Sequence, residues 1–263
     1  MTNQSLILET DKRGVATLTI NCPDKHNAFD EHLIAELTSM FEEVKNNKQA
    51  RVMVLRSNGK SFSAGADLDW MKRMATNDYD DNLRDANALA LMLHTLNFLS
   101  IPTIARVQGA AMGGGAGLVC CCDIAIASNK ASFAFSEAKL GLIPATIGPY
   151  VLRSIGSQAA RRYFLTAERF DAERALALGM VSEVVDESEL DEKINGLINT
   201  LLINSSEAVK AAKKLIFDID GKTVKKKLMH MTSKRIADIR ASEEGIEGLA
   251  AFLEKRKPSW VNE

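Results

Sequence analysis

Glu137 is the residue whose surroundings most need a chemical explanation. It lies between Phe133-Ala134-Phe135 and Leu140-Gly141-Leu142-Ile143-Pro144, an apolar setting in which a carboxylate is costly unless it has a partner or a task. Burial would raise its pKa toward the range useful for taking and returning a proton. A surface pairing with Lys139 is the plainer alternative. Two segments of small residues complete the candidates: Ser61-Phe62-Ser63-Ala64-Gly65-Ala66-Asp67-Leu68 and Gly109-Ala110-Ala111-Met112-Gly113-Gly114-Gly115-Ala116-Gly117. Small side chains let a backbone approach a ligand closely, and a helix that starts there points free N–H groups at it. Two such turns can converge on one oxygen. Tight packing of helix starts on strand ends would use the same residues.

Other chemistries lose support. The chain has no His-Glu-x-x-His pair, no Cys-x-x-Cys pair and no nucleophile elbow around a serine, so zinc and serine-hydrolase routes have no anchor. Asn58-Gly59-Lys60-Ser61 resembles the end of a phosphate-binding loop, but Val54 stands where its first glycine belongs. Gly113, Gly114, Gly115 and Gly117 give no phase of a complete Gly-x-Gly-x-x-Gly, so a nicotinamide site is not supported. Cys120, Cys121 and Cys122 are consecutive, which suits neither a disulfide framework nor zinc spacing.

The elements that must position these residues read as an α/β body. Leu6-Ile7-Leu8 and Val15 to Ile20 form a hairpin around Lys12-Arg13-Gly14. Asp30 offers a cap to a helix with Leu33, Ile34, Leu37, Met40, Phe41 and Val44 at helical spacing. Strand Val52 to Leu55, a helix near residues 82 to 99, strand Thr103 to Val107 and strand Asp123 to Ala127 follow, and this alternation implies crossovers and a parallel sheet. From about residue 147 the pattern is helical, with stripes at Leu190, Ile194, Leu197, Ile198, Leu201 and at Val209, Ala212, Leu215, Ile216, Ile219, then helices near 224–240 and 243–255. The expected division is a core over 1–190 and a helical C-terminal region over 191–263.

Ala64-Gly65-Ala66-Asp67-Leu68 and Gly113-Gly114-Gly115, with Asn27-Ala28-Phe29 upstream and Cys122-Asp123-Ile124-Ala125 downstream, resemble the enoyl-CoA hydratase/isomerase family, the crotonase superfamily. The resemblance implies a spiral of ββα units followed by C-terminal helices used in trimerisation, in a homotrimer or a hexamer built as a dimer of trimers. It implies that the N–H groups of Ala66 and Gly114 form an oxyanion hole for a coenzyme A thioester, which is the substrate, with no separate cofactor and no metal. It places the acyl-CoA along Lys25, Ala28, Ala64, Asp67, Leu68 and Gly113, and it aligns Glu137 with the catalytic glutamate. Asp67 is expected to cap its turn and Asp69 to face solvent.

Typical hydratases of this family carry a first glutamate where this chain has Gly117, so the usual clamp of two carboxylates on a water is broken. Ser136 to Pro144 leading into Ile147-Gly148-Pro149-Tyr150, with Trp70-Met71-Lys72-Arg73-Met74, is most similar to bacterial 3-methylglutaconyl-CoA hydratases of leucine degradation. A substrate of that kind has a distal carboxylate, for which Lys72, Arg73 and Arg153 are the candidate cations, with an ordinary surface charge as the plainer reading of each. The carboxylate itself could take part of the missing glutamate's role in orienting water. An enoyl-CoA isomerase, for which one glutamate is sufficient, is the first rival.

Composition agrees with a small partner. The 263 residues carry 33 Lys+Arg against 34 Asp+Glu, a formal charge of -1, which argues against broad nucleic-acid affinity. An RNA-associated or merely acyl-CoA-binding homologue is the second rival, resting on Lys210, Lys213 and Lys214 or Lys225-Lys226-Lys227. No apolar run approaches the roughly 20 residues that span a bilayer, and the N-terminus lacks signal-peptide order. The expectation is a cytoplasmic protein without membrane contact.

Overall fold

The computed structural model describes residues 4–261. Strands β1 (Leu6–Thr10) and β2 (Val15–Ile20) pair antiparallel, Leu6 opposite Ile20. Asp11 shapes their turn by accepting the N–H groups of Arg13 and Val15 at 2.8 and 2.9 Å. Asp30 caps α1 (Glu31–Asn46) as expected, accepting the Leu33 N–H at 2.8 Å, and the predicted stripe is buried except for the half-buried Met40.

From there each circuit of the chain contributes one strand to a large sheet and a short strand to a smaller one. The pairs are β3 (Val52–Ser57) with β4 (Ser61–Ser63), β5 (Thr103–Val107) with β6 (Ala110–Met112), and β7 (Ile124–Ser128) with β8 (Ser132–Ala134). Helices α2 (Leu68–Met74), α3 (Tyr79–Asn97) and α4 (Gly114–Cys121) carry the chain between circuits. With β9 (Phe170–Asp171) and β10 (Glu183–Val185), the sheets run β1-β2-β3-β5-β7-β10 and β4-β6-β8-β9. The pairings from β2 to β10 are parallel. This is the expected ββα spiral. The short strands β4, β6 and β8 were not foreseen, because three-residue runs give too little alternation to read.

The expectation of a purely helical chain after residue 147 is corrected. Helix α5 (Gly148–Thr166) is followed by β9, α6 (Ala172–Ala177) and β10 before the helices resume. Helix α7 (Leu190–Leu202), which straddles the proposed division, covers the second face of the large sheet, with Leu190, Ile194 and Ile198 buried against Val15, Val52, Val54, Ile104 and Ile126. Helices α8 (Ser206–Ile219), α9 (Lys226–Arg240) and α10 (Glu243–Leu253) form the rest. Lys213 of α8 does not belong to a basic surface: it is 8% exposed, and its Nζ lies 2.6 Å from Asp123 Oδ2 and 3.0 Å from the Ile101 carbonyl. Lys214 pairs with Asp218. Among the described residues no helix is long and apolar enough to cross a membrane, and no group of three His, Cys, Asp or Glu side chains is placed to hold a metal.

Candidate active site

The two small-residue segments sit at the ends of neighbouring strands, β4 and β6. Gly65 follows β4 with φ +94°, and a side chain there would begin 3.3 Å from the Met112 carbonyl. Phe29 locks this turn: its N–H donates to the Gly65 carbonyl and its carbonyl accepts from the Asp67 N–H, each at 2.7 Å. Between these bonds the Ala66 N–H has no acceptor among the described residues. Asp67 then caps α2, accepting from the N–H groups of Asp69 at 2.9 Å and Trp70 at 3.0 Å.

Gly113 makes the corresponding turn after β6. Its backbone, at φ +49° and ψ −118°, suits glycine alone. Its N–H donates to the Ala134 carbonyl at 2.9 Å, and the next N–H, that of Gly114, opens α4 with no acceptor inside the helix. A side chain at Gly114 would start 2.8 Å from Phe29 Cε2 and one at Gly115 2.7 Å from Ser63 Cβ. Of the two uses left open by the sequence, tight packing is met at Gly114 and Gly115.

Glu137 begins a short 3₁₀ turn, Glu137–Leu140, closed by Gly141 in the left-handed region. A side chain on Gly113 would begin 3.3 Å from Glu137 Oε1, so the carboxylate lies directly against that turn. Its Oε2 is buried without a hydrogen-bond partner. Burial pushes the carboxyl group's pKa up, opposed only by a bond to its own backbone N–H. The pairing with Lys139 is not made, since Glu137 forms no ion pair among the described residues.

Ala66, Gly113, Gly114 and Glu137 line one cavity of about 500 Å³. Its other walls are mainly apolar: Leu68, Trp70, Met71 and Met74 from α2, Ala86 and Leu89 from α3, and Leu140, Leu142, Ile143 and Pro144. Such an arrangement has room for an extended apolar chain and sets two backbone N–H groups without acceptors and a carboxyl group on one wall.

Residues 10–263 match the model of the enoyl-CoA hydratase/isomerase family. The chain belongs to that family. A crystal structure of an enoyl-CoA hydratase from Shewanella pealeana is 48% identical, with a TM-score of 0.95 over 98% of this chain and 97% of that one. A structure described as an enoyl-CoA hydratase/isomerase (crotonase) from Legionella pneumophila is 46% identical, with a TM-score of 0.93 over 98% of this chain and 99% of that one. The short-chain-enoyl-CoA hydratase of Clostridium acetobutylicum is 33% identical over 96% of both chains.

Within this family member the cavity gathers Ala64, Ala66, Leu68, Gly113, Gly114 and Glu137, while Lys25, Ala28 and Asp67 lie outside its wall. Lys25 is exposed and reaches Asp67 at 3.2 Å, which holds the Asp67 carboxyl further below its ordinary pKa than capping alone. Asp69 faces solvent, as expected. Of the candidate cations, Lys72 pairs with Asp69, Arg73 with Glu31 and Arg153 with Asp220, and none of them lines the cavity, which is the surface-charge alternative. Leu68, Met71 and Met74 occupy the cavity face of α2, leaving Lys72 and Arg73 on its outer side.

Gly117 is also outside the wall. It is buried, and a side chain there would begin 2.4 Å from Ile147 Cγ2 and 3.5 Å from Leu93 Cδ2. Ile147 takes the space that a side chain at Gly117 would need. Sequence reasoning missed Asn82 and Asp85, which line the cavity with Ala86 and Leu89. Their i, i+3, i+4, i+7 spacing on α3 was the available signal. It also missed the hydroxyls of Ser136 and Thr146, for which no pattern exists.

Proposed function

We propose that this chain is a lyase that reversibly adds water across the 2,3 double bond of a branched enoyl-CoA. The observation that supports it is a buried carboxylate without a partner, Glu137, in the same cavity as two unengaged backbone donors. Glu137 takes a proton from water as the oxygen bonds to C3. The π electrons move to C2, and the negative charge on the thioester oxygen is held by the N–H groups of Ala66 and Gly114. Carbon 2 then takes the proton back from Glu137, leaving a 3-hydroxyacyl-CoA and the starting carboxylate. Each fixed donor contributes roughly 3 kcal/mol of transition-state stabilisation in such a site.

The finer substrate, 3-methylglutaconyl-CoA, rests on the sequence pattern of residues 136–150. The cavity wall offers its second carboxylate no Lys or Arg, only the neutral hydroxyls of Ser136 and Thr146, and sets Asp85 nearby; an uncharged branched chain fits it better. An isomerase is the second reading, favoured by the burial of Gly117 under Ile147. Crotonyl-CoA, 3-methylcrotonyl-CoA, 3-methylglutaconyl-CoA and a 3-enoyl-CoA, each followed by product analysis, separate these readings. Hydroxyacyl products from the 2-enoyl esters, with kcat reduced roughly a thousandfold in Glu137→Gln, support hydration. A shifted double bond without water uptake overturns it.

The large apolar side chains Ile216, Met229, Ile236, Ile246, Leu249 and Phe252 are exposed on α8 to α10, supporting self-assembly, for which the family resemblance implies a homotrimer or hexamer. Light scattering on the purified chain decides it.

A further inference from the structure

The cavity wall carries five polar side chains: Asn82, Asp85, Ser136, Glu137 and Thr146. Two of these are engaged by the turn that starts α3, where Asn82 Nδ2 donates to the Asp78 carbonyl at 2.8 Å and Asp85 Oδ2 accepts from Asn77 at 3.4 Å. Glu137 Oε2 and the hydroxyls of Ser136 and Thr146 have no partner among the described residues. Thr146 is half-buried. It directly precedes Ile147, whose Cγ2 occupies the space above Gly117.

From this placement we infer that Thr146 orients the water that Glu137 activates. The inference rests on the hydration reading. A single carboxylate can take the water's proton but leaves the direction of its oxygen lone pair unset, and a hydroxyl that accepts the water's second hydrogen turns a lone pair toward C3. Ile147 closes off the space over Gly117, and the adjacent Thr146 supplies a neutral hydrogen-bonding group to the cavity. Ser136 neighbours Glu137 in the chain and is the competing hydroxyl.

The test follows two reactions in the full-length protein. Hydration of crotonyl-CoA and 3-methylglutaconyl-CoA needs an oriented water, whereas exchange of an α-proton of butanoyl-CoA with D2O needs only Glu137 and the two backbone donors. Thr146→Val is expected to lower kcat for hydration about tenfold or more on both esters, with KM and α-proton exchange little changed, and Thr146→Ser is expected to restore the rate. Thr146→Ala is read in the same way if the valine variant does not fold. Equal losses in hydration and exchange, or a loss produced by Ser136→Ala instead, overturn the assignment. So does a loss on crotonyl-CoA alone, which would give the water-orienting role to the substrate's own carboxylate. If the wild-type protein exchanges α-protons but hydrates no ester, the hydration reading has failed and this one with it.

Discussion

Asp123 and Glu137 lie near opposite ends of the same helix, α4, and they are treated in opposite ways. Asp123, just past its C-terminal end, gives one oxygen to three donors: the Thr103 N–H at 2.7 Å, the Thr103 hydroxyl at 2.9 Å and Lys213 Nζ at 2.6 Å. Glu137, against the glycine turn at the N-terminal end, has a buried oxygen with no partner. A satisfied carboxylate holds structure together, here tying α8 to the sheet. An unsatisfied one raises the free energy of the fold and keeps its proton affinity available for a ligand. The more exposed carboxylate is the one with donors, and the oxygen that is fully buried is the one without.

The largest expected break in this contrast comes from Lys213→Met, which leaves Asp123 with Thr103 alone. Removing one member of a buried pair is strongly destabilising, and with Asp123 partly exposed at 27% a loss of about 2 to 3 kcal/mol is expected. Chemical denaturation followed by circular dichroism measures it, and an unchanged midpoint would show that the pair is not a pin.

A smaller effect is expected midway along α4. Gly117→Ala gains helix propensity of about 1 kcal/mol, but its methyl meets Ile147 Cγ2 at 2.4 Å, and such overpacking costs about 1 to 3 kcal/mol. A net loss of about 1 kcal/mol should therefore shrink in an Ile147→Ala background, which removes Cγ2 and keeps the Cβ at 3.1 Å. If the two backgrounds give the same change, Ile147 is not what covers Gly117.

The smallest expected change concerns Glu137 and pH. Its folded pKa is raised by burial, so the folded state holds this proton more tightly than the unfolded chain does. The associated stability is fully present below the unfolded value and is lost as pH rises through the folded one. Glu137→Gln should remove that decline, so melting curves of the two proteins diverge above the ordinary carboxylate range, with the variant the more stable at neutral pH. The hydration rate runs the other way, rising with pH as the carboxylate form appears.

Much of this arrangement was legible from residue types. Asp30 and Asp67 announce themselves because a short acceptor side chain before an apolar stripe caps a helix, and both do. The Gly113 turn was readable for a similar reason: few other residues tolerate that backbone. Glu137 stood out as a charge in apolar company. Lys213 did not, because a lysine on an amphipathic helix looks solvated until Asp123 arrives from a segment 90 residues away. Ile147 and Thr146 were hidden for the same reason. Their positions over α4 and in the wall are set by a loop that has no periodicity to read.

The spiral also sets a length. Two N–H donors about 2.9 Å from a shared oxygen, approaching along its lone-pair directions, stand about 5.0 Å apart, close to the spacing of adjacent strands. Ala66 follows β4 and Gly114 follows β6, which are hydrogen-bonded neighbours. If these two N–H groups form the proposed oxyanion hole, its bite follows the spacing of neighbouring strands, a dimension set by backbone pairing rather than by any one side chain.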